Sequence, residues 1–303
     1  MAAVLIDLHV HSSASDGTDP PAEVVRRAAA AGCDVIALTD HDTVAGIAPA
    51  AAALPPGLTL VPGMELSCQL PQPGGDFPPG PPSNGRSVHL LAYLFNPAYA
   101  ALAAETELIR DDRVHRARAM VARLGALGAP VGWERVEEIA AGAVVGRPHI
   151  ARALAEAGVV ATPADAFTAE WIGDGGRAHV GRYAPDPARA IALVRAAGGV
   201  PVLAHPRSPG YEISDEVVVG LVSAGLAGLE VFHPDHDQSE RSRLTHLANS
   251  LNLVITGGSD DHGAFGGGRL GGETTPPDQY ERLLALATGA RPVNGEPTAT
   301  DPR

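Results

Sequence analysis

The sequence predicts an α/β protein, a seven-stranded (β/α) barrel interrupted by an inserted helical domain. Three observations point there. Short apolar runs rich in Val, Leu and Ile recur along the chain, helical patterns lie between several of them, and one long stretch is helical throughout. Strands alternating with helices favour a parallel sheet, because a parallel crossover needs a helix's worth of chain.

The apolar runs span 4–10, 34–38, 58–61, 88–93, 200–204, 228–232 and 253–256, and most end in a polar or glycine-containing turn. Helical patterns cover 22–31, 187–197, 216–224 and 238–251. Between the fourth and fifth runs, 100–127 reads as one long helix, and 133–141, 148–157 and 163–171 as shorter ones, punctuated by Ser, Thr, Pro and Gly. The chain thus divides into a discontinuous barrel (1–98 and 183–290), a helical cap (99–182) and a tail (291–303) expected to fray. Segment 71–86 is dense in Pro and Gly and reads as a surface loop.

Of 303 residues, 45% are hydrophobic and 19% charged, which supports a packed core and excludes wholesale disorder. Aromatics are only 4%, so aliphatic side chains and Ala must fill that core. A formal charge of −13 repels nucleic acid unless a local positive site overcomes it. All 22 basic residues are Arg, which reads as genome composition, the alternative being a need for bidentate phosphate forks. Cys33 and Cys68 form neither a metal-finger spacing nor a disulfide framework. No basic, apolar leader and no membrane-length apolar run is seen, so a cytoplasmic protein with no membrane and no obligate protein partner is expected.

The chemistry gathers at strand ends. The first run closes Asp7-Leu8-His9-Val10-His11, and residues i and i+2 of a strand share a face. Asp7, His9 and His11 are therefore expected on one face, opposite Ile6, Leu8 and Val10, with Asp7 supporting a ligand. A lone His-x-His is weak evidence. The pattern repeats, however: Asp16 follows the first run, Asp40-His41-Asp42 the second, Glu65 the third, His205 the fifth, His233 the sixth, and Asp260 and His262 the seventh. His89 is the exception, at the start of its run. With His89 included, seven of the 12 histidines fall at predicted strand positions beside carboxylates. Barrel catalytic groups converge at the carboxyl ends of the strands, so this distribution reads as a metal site.

These segments resemble the PHP family (polymerase and histidinol phosphatase domain). The matching stretches are Asp7-Leu8-His9-Val10-His11-Ser12, Thr39-Asp40-His41-Asp42, Gly63-Met64-Glu65-Leu66-Ser67, Val88-His89-Leu90-Leu91, Ala204-His205-Pro206 and Gly258-Ser259-Asp260-Asp261-His262. The resemblance implies a distorted (β/α)7 barrel and three divalent ions: one held by His9, His11, Glu65 and Asp260, one by Glu65, His89 and His205, and one by Asp16, His41 and His262. Mn²⁺, Fe²⁺ or Zn²⁺ suits such ligands, with Mn²⁺ favoured. Ser15-Asp16-Gly17, Gly146-Arg147-Pro148-His149-Ile150-Ala151 and Leu229-Glu230-Val231-Phe232-His233-Pro234 resemble one branch, the nucleoside 3′,5′-bisphosphate phosphatases, some of which trim short RNA from the 5′ end.

The expected activity is therefore hydrolysis of small nucleotide phosphate monoesters by direct attack of water, with a 3′,5′-bisphosphate leading and short RNA as an extension. Histidinol phosphate is one rival substrate, and a non-catalytic nucleotide-binding module a second reading. His233 and Asp42 are the candidate proton donors. Arg147 and His149, beside a helix N-terminus, are candidate substrate contacts together with His233. Arg110, Arg113 and Arg116 share a helix face, which reads as a solvated face paired with Glu105, Glu107, Asp111 and Asp112. His115, His179, His236 and His246 read as surface or supporting residues, and 266–268 as a flexible loop.

Overall fold

A computed structural model describes residues 4–70, 86–209, 212–265 and 269–296. The loop expected at 71–86 and the glycines at 266–268 therefore fall, apart from Arg86, outside the described residues.

The sheet runs in the order β1 (Ile6–Val10), β2 (Val35–Leu38), β3 (Thr59–Leu70), β4 (Arg86–Tyr93), β5 (Val200–Leu203), β6 (Gly228–Phe232) and β7 (Val254–Gly257). A parallel bridge between Val10 and Asp261 brings the last strand back to the first, so the barrel is nearly closed. Its interior is one apolar cluster drawn from around the sheet: Ile6, Leu8, Val35, Ala37, Val61, Leu91, Tyr93, Val200, Val202 and Val254. Tyr93 is fully buried there and donates its hydroxyl to the Leu8 carbonyl at 2.8 Å, so its one polar atom is satisfied.

Two expectations need correction. The sheet is not all parallel, because β4 runs antiparallel to both β3 and β5. The third strand also does not stop at Val61. Pro62 and Gly63 read as a turn, yet β3 passes through them, and the close packing of Gly63 against Leu38 and Thr39 leaves little room for a side chain. Glu65 accordingly lies within β3 rather than after it.

Helices α1 (Pro21–Ala30), α2 (Ile47–Ala52), α3 (Ala100–Ala126), α4 (Trp133–Ala140), α5 (Arg147–Glu156), α6 (Pro187–Ala196), α7 (Asp215–Ala224), α8 (Gln238–Ser250) and α9 (Pro277–Leu286) complete the chain. Their ends follow local chemistry. Asp186 accepts the Ala188 N–H and Asp237 the Glu240 N–H, capping α6 and α8. α5 starts differently, with His149 Nδ1 accepting the Gly146 N–H at 3.0 Å. The helix expected over 163–171 is a single 3₁₀ turn, Pro163–Ala166.

Leu229 and Val231 of β6 and Leu66 of β3 pack outward against α6, α7 and α8. The inserted helices have a separate core of Met120, Leu124, Val136, Ile150, Leu154 and Ile172. The expected frayed tail is partly ordered: β8 (Val293–Asn294) pairs antiparallel with β3. Cys33 and Cys68 are buried free thiols. No helix among the described residues is long and apolar enough to cross a membrane.

Candidate active site

The rim is built by backbone devices that the residue pattern does not reveal. β1 carries a register irregularity between Asp7 and Val10. Leu8 joins the barrel interior while Val10 packs against α1 and α2. The strict alternation expected along this strand is broken, and Asp7 does not share the face of His9 and His11. Its carboxylate instead accepts the Ser259 and Gly271 N–H groups, both at 2.9 Å. It thereby anchors the segment carrying Asp260.

That segment lies directly on β1. Asp260 donates its N–H to the His9 carbonyl at 2.8 Å, and His11 donates to the Asp261 carbonyl at 2.9 Å. A Cβ at Gly258 would fall 2.4 Å from the backbone nitrogen of His9, so only glycine allows this approach. Asp42, His205 and Asp260 have positive φ of 55°, 24° and 50°. Such backbone is costly for non-glycine residues and concentrates at functional sites.

His89 finds its place through the direction of β4. In the antiparallel register it lies opposite Ser67, and the Ala204 N–H bonds to its carbonyl at 3.1 Å. The start of an antiparallel strand shares a rim with the ends of its neighbours, so His89 sits where the other candidates do.

The nine candidate ligands form one connected cluster with five of the histidines around Glu65, which is almost fully buried. Glu65 Oε1 lies 2.7 Å from His89 Nδ1 and 3.0 Å from His205 Nε2. Glu65 Oε2 lies 3.3, 3.1 and 3.2 Å from His9 Nε2, His11 Nε2 and His41 Nδ1. One carboxylate thus faces five imidazoles. Asp260 Oδ1 is 3.3 Å from both His9 Nε2 and His11 Nε2, and those two nitrogens are 3.1 Å apart. His262 Nε2 and His41 Nε2 lie 3.3 and 3.8 Å from the Asp16 carboxylate.

This donor set fits metal ions. Five of the six edges joining His9 Nε2, His11 Nε2, Glu65 Oε2 and Asp260 Oδ1 are 3.1–3.3 Å. The centre of a regular tetrahedron of that edge is about 2.0 Å from each corner, which is the length of a Zn–N or Zn–O bond. His11 Nδ1, although buried, has no hydrogen-bond partner among the described residues, the Asp16 carboxylate being 3.9 Å away. Among the described residues, four groupings bring ligand atoms close enough for an ion: His9, His11, Glu65 and Asp260; His11, Asp16, His41 and His262; His41, Glu65 and His89; and His9, Glu230 and His233. The first has the expected membership. His11 joins the Asp16 set, and His41 joins Glu65 and His89 where the family resemblance placed His205.

The electrostatics are those of a cage whose charges need one another. Burial would raise the Glu65 carboxyl, but His41, His89 and His9 hold it well below the usual range. Asp260 is likewise held down against burial by His9 and His262. Burial opposes charge on His262, yet Asp16 and Asp260 push it up to about 10. On His41 burial prevails and brings it down to about 3.

His233 lies at the edge of the cluster, its Nε2 3.4 Å from Asp260 Oδ2. Its Nδ1 accepts the Asp235 N–H at 3.1 Å, so the neutral ring carries its proton on Nε2. Asp42 is placed otherwise. Fully buried, it accepts the Ser67 N–H and hydroxyl at 2.7 and 2.8 Å and is bound by Arg113. Burial would raise its carboxyl, but Arg113 and His41 hold it below the usual range. An ionised carboxylate whose oxygens are taken is poorly placed as a proton donor.

The arginine face is not solvated as expected. Arg113 binds Asp42, Arg110 reaches the Asp42 carbonyl at 3.2 Å, and Arg116 donates to the Val180 carbonyl at 2.7 Å. Glu105 is instead bound by Arg189 and Tyr183, and Asp112 by the Tyr183 N–H. Arg147 pairs with the exposed Asp174 at 2.5 Å. His149 spends its Nδ1 on the Gly146 N–H. The residue that sequence reasoning missed is Glu230, buried beside His9 at 2.8 Å; its signal was a lone acid in an otherwise apolar strand.

Comparison with known proteins agrees with this geometry. Residues 7–115 match the PHP domain. The chain is 35% identical over 263 residues to a phosphoribosyl 1,2-cyclic phosphate 1,2-diphosphodiesterase of Eggerthella lenta, covering 86% of this chain and 95% of that one. It is 33% identical over 279 residues to a 3′,5′-nucleoside bisphosphate phosphatase of Chromobacterium violaceum (89% and 91%). It is 32% identical over 270 residues to a 5′-3′ exoribonuclease of Haemophilus influenzae (88% and 92%). A solved structure from Bifidobacterium adolescentis, assigned as a metal-dependent phosphoesterase, superposes with a TM-score of 0.83 at 32% identity, covering 95% of this chain and 98% of that one. Each of these relatives is about a third identical over most of its length, and the chain belongs to the PHP-domain family of metal-dependent phosphoesterases, hydrolases of phosphoester bonds.

Proposed function

We propose that the chain is a phosphatase of small nucleotides, with a 3′,5′-nucleoside bisphosphate as its leading substrate, short RNA trimmed from the 5′ end as an extension, and the cytoplasm as its place of action. The observation that carries the reading is Glu65, whose two oxygens face five imidazoles at 2.7–3.3 Å. His9, His11, Glu65 and Asp260 would hold one cation, Glu65, His89 and His205 a second, and Asp16, His41 and His262 a third, with Mn²⁺ favoured. Such ions supply Lewis-acid polarisation of the phosphoryl oxygens and activate water for in-line displacement.

The chain's own residues do the rest. With three dications bound, the rim of Asp16, Glu65 and Asp260 would be net positive and would attract a phosphate that a protein of charge −13 otherwise repels. His233, its proton on Nε2, donates toward the leaving oxygen. Residues 99–182 act as the cap, where Arg147 and Arg116 bind the second phosphate and His149 adds the Nε2 side of its ring. The relatives' names support a phosphorylated sugar or nucleotide, and the arginines gathered in the insert, Arg113, Arg116 and Arg147 around one small cavity, favour the bisphosphate over histidinol phosphate.

The deciding experiment is phosphate release from adenosine 3′,5′-bisphosphate, ribose 1,2-cyclic phosphate 5-phosphate and histidinol phosphate, with metal content measured on the same samples. The bisphosphate should give the highest kcat/KM. Faster turnover of either other compound would replace it, and metal binding without any phosphate release would leave a binding module.

A further inference from the structure

Glu230 is fully buried on β6, and both its oxygens are committed. Oε1 lies 2.8 Å from His9 Nδ1, and Oε2 accepts the His205 N–H at 2.7 Å. The first contact places a proton on His9 Nδ1 and turns the His9 Nε2 lone pair toward Glu65 and Asp260. The second holds a backbone with φ of 24°, a conformation that a non-glycine residue keeps only when its surroundings enforce it. His205 Nε2 in turn faces Glu65 Oε1 at 3.0 Å.

We propose that Glu230 is a positioning residue that couples two cation sites. One carboxylate orients the His9 ring in the set with His11, Glu65 and Asp260, and also fixes the backbone from which His205 reaches the other oxygen of Glu65. The proposal rests on the reading of the cluster as a cation site. Glu230 lies near enough to His9 and His233 to make a ligand group of its own. Its oxygens are already taken, however, and His233 Nδ1 accepts the Asp235 N–H, which leaves the neutral His233 no lone pair facing the cluster. His236 adds a second tie between the same segments. Its Nδ1 donates to the Val231 carbonyl at 2.9 Å and its Nε2 accepts the Arg207 N–H at 3.2 Å. The β5 loop is thus held to the end of β6 at two points, and Glu230 is the one that also touches a ligand ring.

Glu230→Gln isolates the role. The His9 and His205 N–H groups meet different oxygens of Glu230, and in the amide one of those two positions becomes an NH2 that cannot accept. Free Mn²⁺ is followed by electron paramagnetic resonance during titration of wild type and variant, with far-UV circular dichroism as the control for folding. Apparent affinity for at least two ions per chain should fall by about 10- to 100-fold. Unchanged affinity, or loss confined to one ion, overturns the coupling. A wild-type protein that binds no Mn²⁺ overturns the cation site itself and the proposal with it. Should the variant not fold, ¹⁵N-histidine spectra of wild type loaded with Zn²⁺ decide: the His9 proton is expected on Nδ1, and a proton on Nε2 overturns the assignment.

Discussion

Arg113 grips Asp42 from the inserted helix α3, its Nε and Nη2 lying 2.9 and 2.6 Å from one carboxylate oxygen while Nη2 also donates to the Ser67 hydroxyl at 2.7 Å. Asp42 is fully buried and Arg113 nearly so. Removing one partner strands a charge in the interior, which costs about 3–5 kcal/mol. Arg113→Ala should lose that much stability in urea denaturation at saturating Mn²⁺. Arg113→Lys should recover little of it, because an ammonium cannot reproduce the fork. A change within about 0.5 kcal/mol, the size of an ordinary surface substitution, would show that the contact is not formed.

Metal affinity should rise with pH, and the sign follows from the protons. Without ions, His9, His11, His205 and His262 all titrate above the ordinary histidine value, because Glu230, Asp260, Glu65 and Asp16 outweigh the cost of burying their charge. His262, pushed up to about 10, holds a proton at neutral pH that an entering cation must displace. His41 and His89 are shifted down by burial and have none to lose. Affinity therefore climbs from pH 6.5 until His262 titrates at about 10. The metal-free fold behaves oppositely: the stability that His262 contributes is complete below 6.5 and is lost as pH rises through about 10. Proton release on adding Mn²⁺ in weak buffer measures the first effect, and uptake or no change would contradict it.

His233 should act in chemistry rather than in metal retention. Its Nδ1 is capped by the Asp235 N–H, which fixes a proton on the side facing Asp260. His233→Gln should lower kcat by about 10²- to 10⁴-fold, the usual worth of a general acid, with metal content unchanged. The loss should shrink for a substrate with a good leaving group such as p-nitrophenol, which needs no proton. Equal loss on both substrates, or loss of metal, would remove this role.

Much of the site was legible because metal ligation restricts side-chain type and barrels confine it to strand ends. His9, His11, Asp16, His41, Glu65, His205, Asp260 and His262 could all be found that way, and β4 explains why His89 alone looked misplaced. A sequence does not say whether the chain between two strands turns back or crosses over, so the antiparallel β4 was hidden. The irregularity in β1 leaves no mark either, since Leu8, His9 and Val10 keep the alternation of a regular strand. Charge pairing was read locally, with the arginines of α3 matched to acids on their own helix. The true partner of Arg113 lies 71 residues away, a separation at which spacing carries no information. Glu230 escaped for the opposite reason: although it stands in the stretch Leu229–Pro234, one acid in an apolar strand has no spacing that marks its role.

Asp174 and Arg147 give the last prediction. The Asp174 carboxylate lies 2.5 Å from Arg147 and 3.6 Å from His179 Nε2, while its own exposure is 67%. Burial would raise its carboxyl, but Arg147 and His179 hold it below the usual range. Arg116 stands nearby and is lowered to about 9, first by burial and then by Arg147, Arg182 and Arg113. A phosphate that binds Nη1 of Arg147 competes with Asp174. Arg147→Ala removes a charge-assisted hydrogen bond of about 1.5–3 kcal/mol and should raise KM for a 3′,5′-bisphosphate by about 10- to 100-fold with little change in kcat or metal content. Asp174→Asn removes the competing anion and should lower that KM, while leaving KM for a monophosphate unchanged. Opposite movements in the two variants, seen only with the bisphosphate, locate the second phosphate at Arg147. A KM that ignores both substitutions places it elsewhere.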